Sequence, residues 1–263
     1  MYRVGMVPSS QVVPSSEAVP VFVRLAAHPV RWRLLGELAA GDHRVRELTE
    51  RLGQPQNLVS YHLRLLRDGG LVTTRRSSFD ARDSYYHLDL DQCAGALSTT
   101  ASSLHPALRP STPAVPSGAR VLFACTGNSA RSPMAEALLR HRTDGRLDVT
   151  SAGSHPKPEL HPTAILVLRK EFGLDLAGMR PRHLDSVAGR RFDYVITLCD
   201  KVREVCPEFD DATVRSHWSI PDPATASGSD DYEAFARIAV EIDTRVRHLL
   251  PVLAANHSGG HRD

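Results

Sequence analysis

A cysteine and an arginine with five residues between them carry the chemistry this sequence offers. Cys125 and Arg131 bracket Thr126, Gly127, Asn128, Ser129 and Ala130, and Ser132 follows. Val121, Leu122, Phe123 and Ala124 precede the cysteine and read as a buried strand. An amphipathic helix opens near Ser132-Pro133, where proline suits the first turn. A strand that enters a helix through so tight a loop turns successive N–H groups inward, at the positive end of the helix. Residues 126–132 are therefore predicted to cradle a tetrahedral oxyanion, with Arg131 adding a bidentate fork. The same positive surroundings favour thiolate at Cys125, the candidate nucleophile. Gly127 and Asn128 tolerate the left-handed backbone such a nest needs. The alternative, a structural cysteine beside an ordinary turn, sits badly with the apolar strand before it and the helix beyond.

The elements around the loop alternate. A short strand at 147–149 leads into Ser151-Ala152-Gly153, a helix spans 161–172, and a central strand spans 192–198. A final strand is expected at 214–218 and a long amphipathic helix at 231–253. Alternating strands and helices predict a parallel sheet with helices on both faces, and the active loop falls at the C-terminal end of its first strand. This unit is placed at 119–256, followed by a tail at 257–263.

The region ahead of it, 18–100, reads differently. Phe22, Leu25, Val30, Leu34, Leu35 and Leu38 repeat at helical spacing, interrupted at His28-Pro29. A short helix at 45–52 and another from Pro55 to Gly69-Gly70 follow, then strands at 71–74 and 84–88 around a polar loop, and a last helix from 91 to about 98. That layout is a winged helix-turn-helix. The fold class expected is thus an α/β domain preceded by an α+β winged-helix domain. Residues 1–116 carry 13 Arg, no Lys and 10 acidic residues, so the small basic excess lies in this half. Pro, Ser and Thr dominate 101–118, a linker of intermediate stiffness. Residues 1–17 lack a basic segment followed by a long apolar core and read as a disordered tail. No run of about 18 apolar residues suggests a membrane span. A cytoplasmic protein without a membrane partner is expected, with Cys93, Cys125, Cys199 and Cys206 reduced and available for chemistry.

The stretch 121–139 resembles the signature loop of the low-molecular-weight protein tyrosine phosphatase family, and within it most closely the thioredoxin-coupled arsenate reductases. The resemblance covers 120–253. It implies that the loop Trp218-Ser219-Ile220-Pro221-Asp222-Pro223-Ala224 brings Asp222 over the cradle as general acid. Phosphatases of the family usually carry an aromatic residue where Ala224 stands. It also implies a thiol relay through Cys199 and Cys206, which have the spacing found in the reductases. Cys125 attacks arsenate, Cys199 attacks the Cys125 sulfur and expels arsenite, and Cys206 carries the disulfide to the surface, where a thioredoxin reduces it. The relay requires no metal or organic cofactor. Some family members bind potassium near the loop at positions that align with Asn128, Glu136 and Ser151, but the basic Arg180 and Arg182 segment argues against that ion here.

Ala27-His28-Pro29-Val30-Arg31 and the stretch 59–72 resemble ArsR-type repressors. That resemblance implies that Gln56, Asn57, Ser60, Tyr61 and His62 face the major groove of a double-stranded operator. Arg64 and Arg67 lie on the same helix, while Arg75, Arg76 and Arg82 lie on the wing, where they would meet phosphates or the minor groove. A homodimer through the first and last helices is implied too. Cys93 is the domain's one thiol, and a single thiolate cannot make a three-sulfur arsenite site. Two rival functions remain at this point. One is a tyrosine phosphatase fused to a DNA-binding domain, towards which Pro133 leans. The other is a repressor whose second domain binds an oxyanion or arsenite as a sensor, without turnover.

Overall fold

The computed structural model describes residues 19–80, 82–105, 108, 118–176, 178–206, 213–225 and 231–258. The expected tail at 1–17, most of the linker and residues 259–263 lie outside them.

His28 ends one helix and starts the next. Its Nδ1 accepts from the N–H of Val30, and Pro29 takes the first helical position, so α1 (Val21–Ala26) and α2 (Pro29–Ala40) are separate. A two-residue strand, β1 (His43–Arg44), then leads into α3 (Val45–Leu52), which stops at Gly53 with φ +62°. Next come α4 (Gln56–Asp68), β2 (Val72–Arg76), β3 (Ser84–Leu88) and α5 (Leu90–Leu104). The three strands pair antiparallel in the order β1-β3-β2. Leu34, Leu48, Leu63 and Leu66 are fully buried at the centre of this domain. Two sequence expectations change. Strand β1 was not foreseen, because two residues carry no alternation to detect. The last helix reaches Leu104 instead of about 98, so the first residues assigned to the linker are helical. Thr and Ser at 99–103 are weak helix formers, and the hydroxyls of Thr100 and Ser103 bond back to the carbonyls of Ala96 and Thr100.

The second domain runs β4 (Arg120–Cys125), α6 (Arg131–Arg142), β5 (Asp148–Gly153), α7 (Pro162–Phe172), β6 (Tyr194–Thr197), α8 (Asp200–Val205), β7 (Val214–His217) and α9 (Asp231–Ser258). Its sheet is parallel throughout, in the order β5-β4-β6-β7. Strand β4 is central and its neighbours lie to opposite sides, so the cleft beyond its C-terminal end is a topological switch point. Phe123 on β4, Met134 on α6 and Phe235 on α9 lie in one buried cluster. Helix α9 continues to Ser258 past Pro251, which corrects the tail assigned from 257. Among the described residues, no helix is long and apolar enough to cross a membrane.

The two domains meet along the outer edge of β7. Asp42 donates its N–H to the carbonyl of His217 at 2.8 Å, and the Ser216 hydroxyl donates to the carbonyl of Ala40 at 2.7 Å. A Cβ on Gly41 would lie 3.0–3.2 Å from Ser216 and His217, so glycine permits this approach. Arg245 forks onto the Asp42 carboxylate at 3.0 Å through both nitrogens, and Arg75 forks onto Glu241 at 3.0 and 3.1 Å. Burial works against the Asp42 charge, yet Arg245 holds its pKa below the ordinary carboxylate value.

Candidate active site

Register builds the site. Cys125 is the last residue of β4 and pairs with Gly153, the last of β5. The loop 126–130 folds back over that strand end. Asn128 takes φ +44°, the left-handed turn of the nest. Gly127 is not left-handed. Its small size matters instead, since a Cβ there would sit 3.3 Å from Ser129 and 3.4 Å from Lys157. Gly153 is the tighter requirement and was not foreseen. A Cβ would lie 2.6 Å from the Thr126 carbonyl and 2.9 Å from the Asn128 nitrogen. Nothing in the run Ser151-Ala152-Gly153 marks that contact, because it depends on which strand pairs with β4.

Asn128 ties the loop down. Its Nδ2 donates to Ser132 Oγ and Ser151 Oγ at 2.9 Å each, and its Oδ1 accepts from the Arg182 N–H at 2.8 Å. Glu136 is fully buried and ion-paired to Arg140 at 2.8 Å. Of the residues that align with a potassium site, Asn128 and Ser151 bond to protein groups, whereas both carboxylate oxygens of Glu136 are buried without a hydrogen-bond partner among the described residues.

Cys125 Sγ lies 2.9 Å from Ser132 Oγ and accepts from the Asn128 N–H at 3.3 Å. It is 2 % exposed, and burial pushes its thiol up, while Arg131 and the Ser132 hydroxyl pull it back. The expected thiolate-favouring surroundings are thus present, but the depth of the cradle opposes them and the net direction is upward. Arg131, at the first turn of α6, donates to the Ile220 carbonyl and to Asp222 Oδ2, both at 2.9 Å. That contact brings the loop after β7 over the cradle and leaves the Asp222 side chain 41 % exposed at the rim.

Cys199 comes into the same cavity. It caps α8 at the end of β6, and its Sγ lies 3.2 Å from Thr126 Oγ1. Cys125, Arg131, Cys199 and Asp222 all line a cavity of about 870 Å³. His155, Lys157 and Lys201 line it too. Sequence reasoning missed these, although two of the chain's three lysines stand there. Cys206 does not share this cavity. It sits at the far end of α8 beside a second one of about 300 Å³, lined also by Gly41, His43, Arg203 and His217 between the domains. Burial pushes its thiol up to about 11.

The expected DNA-facing residues divide. Gln56, Asn57, Tyr61, Arg64 and Arg67 are exposed on α4, with Ser60 half-buried beside them. His62 turns inward instead, 4 % exposed and with its ring 4.4 Å from that of His28. Position 62 falls on the face of α4 that carries Val59, Leu63 and Leu66, which the periodicity required. Arg75 is committed to Glu241 and to the Ser219 carbonyl across the interface, so it faces the second domain. Arg76 and Arg82 are exposed, and Arg82 is paired with Asp80 at the turn. Cys93 is buried, donates to the Leu71 carbonyl at 3.6 Å, and burial pushes it up to about 11, which leaves it little thiolate for arsenite.

Residues 120–258 match the family described as low molecular weight phosphotyrosine protein phosphatase, and residues 26–75 match a helix-turn-helix domain. An arsenate reductase of Halalkalibacterium halodurans is 35% identical over 129 residues, 48% of this chain and 91% of that protein. One of Bacillus subtilis is 34% identical over the same shares. Among solved structures, a thioredoxin-dependent arsenate reductase of Corynebacterium glutamicum is 31% identical over 53% of this chain and 64% of that one, with a TM-score of 0.45. The match spans more than half of the chain and includes the cysteine, the arginine and the aspartate of the cavity. The chain therefore belongs to the low-molecular-weight phosphotyrosine protein phosphatase family, with a helix-turn-helix domain ahead of the catalytic one.

Proposed function

We propose that this protein reduces arsenate to arsenite through Cys125, Cys199 and Cys206, with electrons from a thioredoxin. The observation that carries the reading is a second thiol, Cys199, in the cavity of the nucleophile, with a third at the far end of the helix that Cys199 caps. A phosphatase needs only the first. The relatives named arsenate reductase favour the same substrate.

The residues divide the work as follows. The N–H groups of 126–132 and the Arg131 guanidinium hold the oxyanion. Cys125 attacks arsenic, and Asp222 protonates the oxygen that leaves as water. Cys199 then attacks the Cys125 sulfur. The arsenic–sulfur bond breaks, its electron pair leaves with arsenic as arsenite, and the two sulfurs are joined. Cys206 attacks Cys199 and returns Cys125 as a thiol, and a reduced dithiol partner clears the Cys199–Cys206 bridge. Aryl phosphates suit the same cradle, so weak phosphatase activity accompanies the reductase.

The N-terminal domain binds double-stranded DNA as a homodimer in this reading. Gln56, Asn57, Ser60 and Tyr61 reach base edges, and Arg64, Arg67, Arg76 and Arg82 meet phosphates. Val21 and Val23 on α1 and Leu97 and Leu104 on α5 are exposed apolar residues, which suits a dimer contact.

Purified protein with arsenate, thioredoxin, thioredoxin reductase and NADPH tests the reductase. NADPH loss in the wild type that disappears in Cys206→Ser, with aryl phosphate hydrolysis retained, supports the relay. Aryl phosphate hydrolysis without arsenate-dependent NADPH loss supports the phosphatase instead. Oxyanion binding with neither activity supports the sensor.

A further inference from the structure

The hairpin turn of the N-terminal domain grips the helix that the relay must rearrange. Asp200 directly follows Cys199 and opens α8. Its Oδ2 accepts from Ser77 Oγ at 2.9 Å, from the Ser78 N–H at 2.7 Å and from Ser78 Oγ at 3.2 Å. Its Oδ1 accepts from Ser219 Oγ at 2.8 Å and contacts His217 Nε2 at 3.2 Å. The carboxylate is 3 % exposed, and Ser77 is buried with it. Ser77 Oγ also accepts from the N–H groups of Phe79 and Asp80, so the turn between β2 and β3 is shaped around this contact. The same domain holds Ser219, in the loop that carries Asp222. Asp42 Oδ2 accepts the Ser219 N–H at 2.7 Å, and Arg75 donates to its carbonyl at 2.5 Å.

Building on the relay proposed above, we infer that Asp200 is a positioning residue for it, latched by Ser77 and Ser78 of the winged-helix domain, so that the bridge passes from Cys199 to Cys206 only when the hairpin lets go. The geometry of α8 carries this. All six residues between the two cysteines are helical. Seven steps at about 1.5 Å put the two Cα atoms roughly 10 Å apart. A disulfide needs about 7 Å or less, so the bridge cannot form across an intact α8. The two thiols also open into different cavities. Unwinding α8 displaces Asp200, and Asp200 holds the hairpin.

The transfer itself is balanced. The Cys206 thiol loses its proton and its sulfur attacks Cys199 Sγ. The Cys125–Cys199 bond breaks, and Cys125 leaves as thiolate and takes up a proton. One disulfide replaces another with no net oxidation, the two-electron oxidation having been made by arsenate in the preceding step. Coupling between two states is reciprocal at equilibrium, so whatever frees the hairpin favours the Cys199–Cys206 bridge, and that bridge frees the hairpin; the rate follows because α8 must unwind before the sulfurs meet.

The test is a single turnover of the full-length protein, quenched with acid, alkylated, and read as bridged peptides by mass spectrometry. Reduced wild type and Ser77→Ala are each mixed with one equivalent of arsenate and, in a second arm, with diamide. Ser77→Ala is expected to form the Cys125–Cys199 bridge at the wild-type rate and to hydrolyse aryl phosphate normally. It is expected to convert that bridge to Cys199–Cys206 roughly tenfold faster, since one hydrogen bond to a buried charge is gone. Asp200→Asn is expected to shift the same step in the same direction, whereas a merely structural role would slow it. Hydrogen exchange supplies a readout on the wild type alone: the Ser78 amide is expected to lose protection when the Cys199–Cys206 bridge is present. Equal transfer rates together with equal Ser78 protection in reduced and oxidised protein would overturn the latch. If arsenate forms no bridge in either protein while diamide-driven transfer is still faster in Ser77→Ala, the reductase reading falls and the latch stands.

Discussion

Two short turns in this protein hold an anion or are shaped for one, and only one of them announces itself. In the function proposed above, the loop 125–131 offers its N–H groups and an arginine to an external oxyanion. The turn after β2 offers one N–H and two hydroxyls to an internal carboxylate, Asp200, more than 120 residues away in sequence. The chemistry is alike: hydrogen bonds to a charge in a place from which water is excluded. The difference is where the partner comes from. The first turn is complete within one strand–loop–helix unit, whereas the second makes sense only after two domains have docked.

Substitutions separate the two turns by size of effect. Cys125→Ser is expected to abolish both arsenate reduction and aryl phosphate hydrolysis, because Cys125 is the sulfur held at the base of the loop by the Asn128 N–H and Ser132, while thermal unfolding stays within a few degrees of wild type. Asp222→Asn is expected to lower kcat for aryl phosphate hydrolysis by about 10²- to 10⁴-fold, with substrate binding largely retained. At the interface, Arg245→Met leaves Asp42 buried without its fork, and chemical denaturation should show a loss of about 3 kcal/mol. Gly153→Ala should cost about 2 kcal/mol in the same assay and reduce activity as well, since the added methyl meets the Thr126 carbonyl and displaces the cradle.

The DNA side of the comparison can be broken directly. Arg64→Ala is expected to weaken binding to any duplex and to reduce the salt dependence by about one unit of slope. Arg75→Ala should leave that slope unchanged, because Arg75 is turned to Glu241. An equal fall for both in a salt titration of fluorescence anisotropy would place Arg75 on the nucleic acid.

Acidification probes the interface as a whole. Burial opposes the charges of Asp42, of Glu47, which meets Arg203 of the second domain at 3.0 Å, and of Asp200, but Arg245, the His43 and Arg203 contacts, and the His217 and serine contacts respectively hold each pKa below its unfolded value. A lowered folded-state pKa gives stability that is full above the unfolded value of about 4 and is lost as pH falls through the folded one. Small-angle scattering is therefore expected to show the domains separating below about pH 4 while remaining docked at pH 6.

Much of this is legible in the sequence. The cradle, the helix boundaries at His28-Pro29 and Gly53, and the parallel sheet follow from local patterns that tertiary contacts reinforce. Cys199 and Cys206 were legible as a spacing. That Cys199 shares a cavity with Cys125 while Cys206 opens into another depends on α8 lying between them. His62 shows a resemblance overriding periodicity, since its position on the face of Val59 and Leu66 already marked it as inward. Gly153, Ser77 and Asp200 were not legible at all, because each acts through a partner that only the docked fold supplies.

The most direct measurement is the thiol content of Cys206→Ser after one equivalent of arsenate. The expected result is the loss of two thiols, with a bridged peptide joining Cys125 to Cys199 and one arsenite released. No thiol loss, in a protein that still hydrolyses aryl phosphate through Cys125, would contradict the relay and leave a phosphatase.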